Sequence, residues 1–128
     1  YGKLKGPKDH VYYGWVKPNV MRQVLAKAWG SIDLQGYSGG HQKAYARGSY
    51  NNAELEAIFY GARPIVHKSV LKSPLPSELL FAVETAEDLP RACREVTPLN
   101  SRELKIARDY LNENHNADKL YQKIRRAI

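Results

Sequence analysis

Between Gly36 and Asn52 the chain gathers the residue types that hold a phosphorylated ligand: glycines, hydroxyls, Tyr37, Lys43 and Arg47, ending where Ser49-Tyr50-Asn51-Asn52 enters a predicted helix. Free backbone N–H groups and the positive end of the helix dipole at such an entrance bind phosphate. Glu56 lies a turn further on, in a stretch otherwise small and apolar: Ala53, Leu55, Ala57, Ile58, Phe59. It is either a solvated surface charge or an acceptor held toward a polyol at the helix mouth, and periodicity does not choose between them. Two further loops are candidates for a ligand edge, Val16 to Asn19 and Lys68 to Ser77.

Other chemistries find no support. His10, His41, His67 and His115 are far apart and lack metal-ligand spacing. Neither a Gly-x-x-x-x-Gly-Lys-Ser/Thr loop nor a Gly-x-Gly-x-x-Gly turn is present. Gly36-Tyr37-Ser38-Gly39-Gly40 has the Gly-x-Ser-x-Gly spacing of a hydrolase nucleophile elbow, but it opens a loop that runs to Arg47 instead of turning directly into a helix, so no hydrolase triad is read from it. No residue is assigned a catalytic role.

The elements that must position these residues alternate between short strands and amphipathic helices. Val11 to Val16 reads as a strand ended by Pro18, and Asn19 as the N-cap of a helix with apolar positions Val20, Met21, Val24, Leu25 and Ala28, stopped by Gly30. Ser31 to Gln35 is a second strand, about Asn51 to Tyr60 a helix stopped by Gly61, and Pro64 to His67 a third strand. Leu79 to Val83 is the fourth. Thr85 and Asp88 have the spacing of a capping box, and Pro90 predicts local distortion in the helix that follows. Leu89, Ala92, Cys93 and Val96 share one face there, which makes Cys93 a core residue. Helices at about Ser101 to Asn112 and Asn116 to Ala127 finish the chain. Short strands alternating with helices of about ten residues imply an α/β class, a Rossmann-like parallel sheet with flanking helices. Ligands of such sheets bind beyond the carboxyl ends of the strands.

The chain has 128 residues, 43% apolar and 26% charged, which suits one domain over 1–128 and excludes a disordered tail or a repeat array. No apolar stretch approaches the length of a membrane helix, so no membrane insertion is expected. A lone cysteine allows no internal disulfide, and a reducing cytoplasm is the expected compartment. The net charge is +7, and residues 1–48 alone hold eight bases against two acids. A face that basic suits nucleotides, nucleic acid or anionic lipid, although solvated lysines with no specific role give the same count.

The order of these pieces resembles the carboxyl-terminal, donor-binding half of retaining GT-B glycosyltransferases of the glycogen synthase and sucrose synthase type. The matching words are Val11 to Val16, Ala28, Ser31 to Gln35, Leu55-Glu56-Ala57 and Gly61-Ala62-Arg63-Pro64-Ile65-Val66. Thr85 to Leu89, Ala107 to Leu111 and Tyr121 to Ile124 match the last helices. A closer likeness is to the bacteriophage DNA α-glucosyltransferases, through Gly36-Tyr37, Gln42-Lys43, Arg47, Ser49 and Leu55-Glu56 in order. The resemblance implies a hexosyltransferase using a nucleoside diphosphate sugar, such as UDP-glucose, as donor substrate, with no separate cofactor and no metal. It implies that Glu56 accepts from ribose hydroxyls, that Ser49, Tyr50, Asn51 and Asn52 face the diphosphate, and that Trp15 and Val16 border the base. Tyr37 and Arg47 complete the implied donor set.

Two departures from that pattern matter. Most of these enzymes carry a second glutamate eight positions before the Leu-Glu-Ala glutamate, where this chain has Gly48. The family also has an amino-terminal acceptor domain and two further βα units, whose strands lie in the sheet centre between the first and second strands predicted here. On that comparison the chain is expected to be an incomplete GT-B domain that binds donor weakly and needs an acceptor domain or partner chain for catalysis. The phage likeness and the basic first third suggest DNA bases as acceptor. The rival reading is a non-catalytic nucleic-acid or phosphate-binding module built on the same basic residues.

Overall fold

The computed structural model of the protein describes residues 15–34, 50 and 52–127. Among them the order is α1 (Pro18–Lys27), β1 (Gly30–Asp33), α2 (Asn52–Tyr60), β2 (Arg63–His67), β3 (Phe81–Val83), α3 (Leu89–Glu95), α4 (Ser101–His115) and α5 (Ala117–Ala127). The three strands form a parallel sheet in the order β1-β2-β3, with Ile32 opposite Ile65 and Ile65 opposite Phe81. The protein is therefore a mixed α/β structure with a small parallel sheet flanked by helices.

Alternation along β2 builds the core. Val66 faces one side and packs in a cluster with Ile58 of α2, with Leu99 ahead of α4 and with Ala107 of α4. Its neighbour Ile65 faces the other and packs with Val83 and with Ala92 and Val96 at α3. A central strand buried on both faces reads as a continuous apolar run, as Pro64-Ile65-Val66 does. Outside the sheet, two short 3-10 turns at Lys68–Lys72 and Ser77–Leu79 carry Val70 and Leu79 inward, so the proline-bearing stretch from 68 to 77 is partly helical.

Helix α2 ends where Gly61 takes a φ of 89°, and the next amides turn back, Gly61 N–H to Ile58 O at 3.3 Å and Ala62 N–H to Ala57 O at 2.9 Å. This pairing satisfies the last carbonyls and requires the left-handed backbone that glycine adopts freely. The distortion expected at Pro90 takes the form of a 3-10 turn, Ala86–Asp88, running into α3 with the proline in its first turn. Asp88 accepts from the amides of Glu84 and Thr85 at 3.0 and 3.1 Å.

Three expectations need correction. Pro18 does not close a strand but opens α1 at its first turn, with Lys17 rather than Asn19 at the cap; proline's fixed φ suits that position and its missing N–H costs nothing there. Gly30 belongs to β1 and does not end the preceding helix. Cys93 is exposed. Helix α3 has seven residues against three short strands, so it buries only the stripe of Ala92 and the following Val96, and Cys93 falls at the edge of that arc. Of the first predicted strand, residues 11–14 lie outside the described residues, and Trp15 and Val16 form a bend into α1.

Candidate functional site: a groove between α1, α2 and α4

Helix α4 runs antiparallel to α2. Leu104 lies beside Gly61 at one end, and at the other Tyr50, just before α2, meets Tyr110 and His115. Helix α1 also packs against α2. The three helices leave an open groove of about 1500 Å³ between them. Met21 and Leu25 of α1, Leu55 and Phe59 of α2, and Leu111 of α4 supply its apolar walls. Polar character enters at Glu56, Arg22, Arg108, Asn112 and His115. A mainly apolar cleft with a few convergent polar groups is the usual form of a small-molecule site.

The apolar positions of α1 thus have a different destination from the one periodicity suggests. No residue of that helix is buried; Met21 and Val24 are exposed, and Met21 and Leu25 line the groove. Trp15 is 87% exposed at the rim, beside Val16.

Glu56 and Glu54 take opposite faces of α2. Glu56 is exposed and lines the groove, whereas Glu54, two positions earlier, is 1% exposed on the face shared with Ala57 and Ile58. Asp33, at the carboxyl end of β1, is also buried. The signal for Glu54 was in the sequence, because it stands three and four positions before Ala57 and Ile58.

No protein-family model, curated protein or solved structure matches the chain.

Of the residues singled out from sequence, Trp15, Val16 and Glu56 are brought to one groove. Asn52 is the first residue of α2. Tyr50 is turned to α4, its hydroxyl 2.9 Å from the Tyr110 hydroxyl and 2.9 Å from His115 Nε2. Burial, followed by the hydrogen bond with Tyr50, pushes the Tyr110 phenol well above its ordinary value, so it stays protonated through the neutral range. The three rings hold Tyr50 onto α4 beside the groove. Tyr37, Arg47, Ser49 and Asn51 lie outside the described residues.

Arg22 and Arg108 are the site residues that sequence reading missed. Each sits next to an apolar position of its helix, Met21 and Ala107, and their shared groove arises only from the packing of α1 and α4 on α2. No group of His, Cys, Asp and Glu suited to a metal occurs among the described residues, and none of their helices is long and apolar enough to cross a membrane.

Proposed function

We propose that this chain is the donor-binding portion of a retaining, GT-B-type glycosyltransferase that transfers a hexose from a nucleoside diphosphate sugar, with UDP-glucose the first donor to try. The observation that carries this reading is that Trp15, Val16 and Glu56, to which the glycosyltransferase resemblance gives the base and the ribose, line one groove along α2. An aromatic and apolar rim suits a nucleobase, and a carboxylate suits a ribose diol. Arg22 and Arg108 in the same groove supply the positive charge that a diphosphate requires, and would stabilise it as it departs. Sugar transfer would further need an acceptor domain, carried by the same protein or by a partner chain. Hydroxymethylated bases of phage DNA are the acceptor the reading favours, because the basic residues of 1–48 suit a phosphate backbone.

The test is saturation-transfer NMR and calorimetry with UDP-glucose. Saturable binding in the millimolar range is expected, weakened about tenfold or more by Glu56→Gln, while the thermal midpoint is retained because the side chain is exposed. Absence of saturable binding, or equal binding by the variant, overturns the reading. Transfer of labelled sugar to hydroxymethylpyrimidine DNA, beside glycan and lipid acceptors, then decides the acceptor.

A further inference from the structure

The final helix presents a surface that neither the core nor the groove uses. At 100° per residue, Ala117, Leu120, Tyr121, Ile124 and Ala127 of α5 fall on one arc of about 120°. Leu120, Tyr121 and Ile124 are 52%, 63% and 53% exposed. Lys123 borders the arc on one side and Arg125 on the other, with Arg126 and Lys119 behind. Four bases stand against the single acid Asp118.

The orientation of this arc is fixed by the chain. Asn116 Oδ1 accepts from the amides of Asp118 and Lys119 at 3.0 and 3.1 Å, capping the helix. Lys119 pairs with Glu113, and Lys123 Nζ donates to the Glu113 main-chain oxygen at 3.3 Å. The Lys119–Glu113 pair holds the polar flank of α5 against the last turns of α4, and the Lys123 contact beside it is long and solvent-exposed. The apolar arc is thereby turned outward.

We infer that α5 is an interfacial helix that lays this arc onto an anionic lipid surface. The inference is independent of the donor site. Apolar side chains flanked on both sides by long bases match a bilayer surface, where the apolar face enters the acyl boundary and Lys123 and Arg125 extend back to the headgroups. A second copy of the chain fits less well, since three large side chains fall far short of the roughly 20 residues a side of a stable interface. A nucleic-acid backbone would engage the bases and leave Leu120 and Ile124 in water. For a membrane, each base near an anionic surface adds attraction of its own, so a short arc suffices for reversible binding.

The experiment is co-sedimentation of the chain with vesicles of phosphatidylcholine alone and of phosphatidylcholine with phosphatidylglycerol, at low and high salt. Binding to the anionic vesicles is expected, weakened by salt and much reduced on neutral ones. Leu120→Ser/Ile124→Ser and Lys123→Gln/Arg125→Gln should each lower it by about tenfold or more. Circular dichroism of both variants should match the parent, because every altered side chain is exposed. As a second readout, Tyr121→Trp should add a fluorescence component quenched by brominated lipid. The inference is overturned by lack of binding to anionic vesicles, or by undiminished binding of the Leu120→Ser/Ile124→Ser variant. It is also overturned if Lys123→Gln/Arg125→Gln loses duplex DNA in a protein that ignores vesicles, or if Leu120→Ser/Ile124→Ser dissolves a dimer in such a protein.

Discussion

Arg63 ties the sheet to α4 and to the main chain at Glu78 and Thr97. From the first position of β2 its guanidinium donates to Thr97 O at 3.0 Å, to Glu78 O at 2.8 Å and to Glu103 Oε1 at 2.7 Å. Glu103 also accepts from the Asn100 amide at 3.1 Å, while Asn100 Oδ1 accepts from the Glu103 amide at 2.8 Å, so one carboxylate caps α4 and ties it to the sheet. Both side chains of the pair are 11% exposed, and losing one would strand the other in a poorly solvated place. Arg63→Ala is expected to cost about 3 kcal/mol in urea unfolding. The hydrogen bond from Arg63, opposed by burial, holds the Glu103 carboxyl below its ordinary value of 4.5. Because the folded value is the lower one, this stabilisation is complete above pH 4.5 and is lost as pH falls through the folded value. Glu103→Gln should therefore be less stable than the parent at neutral pH and show a flatter loss of stability on acidification below pH 4.5. A second prediction concerns Cys93: being exposed, it should react with a thiol reagent at the rate of an open cysteine in the native protein, with the circular dichroism unchanged. A thiol that reacts only in denaturant would contradict the position given to α3.

At the scale of elements, Gly30 shows how closely α3 and β1 approach. A Cβ on that residue would stand 3.0 Å from Val96 Cγ2 and 3.1 Å from the Arg63 carbonyl oxygen. Gly30→Ala should destabilise the protein by about 1 to 3 kcal/mol, and Val96→Ala in the same chain should recover part of that loss, giving a double variant milder than the sum of the singles. Thermal unfolding of the four proteins measures it. Three of the four expected strands and the ends of α2 were legible in the sequence, because they depend on local chemistry: the apolar run at Ile65-Val66, the glycine after Tyr60, the Thr85 to Asp88 spacing. Leu79, expected in the fourth strand, instead ends a 3-10 turn ahead of β3, and α4 runs to His115 where Asn112 was expected. The α5 boundaries were legible to within a residue. What local pattern does not encode is which surface covers a given face. The periodicity of Met21 and Leu25 correctly marks one side of α1, but that side lines a groove; the periodicity of Cys93 marks a face too wide for a seven-residue helix to bury. Arg22 and Arg108 are neighbours of the same groove through contacts between distant segments, which spacing along the chain cannot show. Asn100 and Glu103 form a full capping box whose spacing is present in the sequence.

At the scale of the molecule, the described residues are organised by a sheet whose three strands lie side by side in the order in which they occur along the chain. That arrangement bears on how the chain folds. Parallel neighbours cannot zip from a hairpin, so each pairing must wait for its connection to close. His67 and Phe81 are 14 residues apart, whereas Asp33 and Arg63 are 30 apart. Doubling a loop raises its closure cost by about 0.6 kcal/mol, which favours β2 with β3 over β1 with β2 as the first pair. The clusters around Val66 and Ile65 then reward the early pair at once, since Val70, Leu79 and Val83 come from the same short stretch. Pulse-labelled hydrogen exchange should find the amides of Phe81 to Val83 protected before those of Ser31 to Asp33. Simultaneous protection would mean that the collapse of α2 and α4 onto the sheet, rather than loop closure, sets the pace. On this scheme β1 joins last, onto a sheet already half built, and the sequence between β1 and α2 is free to vary without slowing the nucleus.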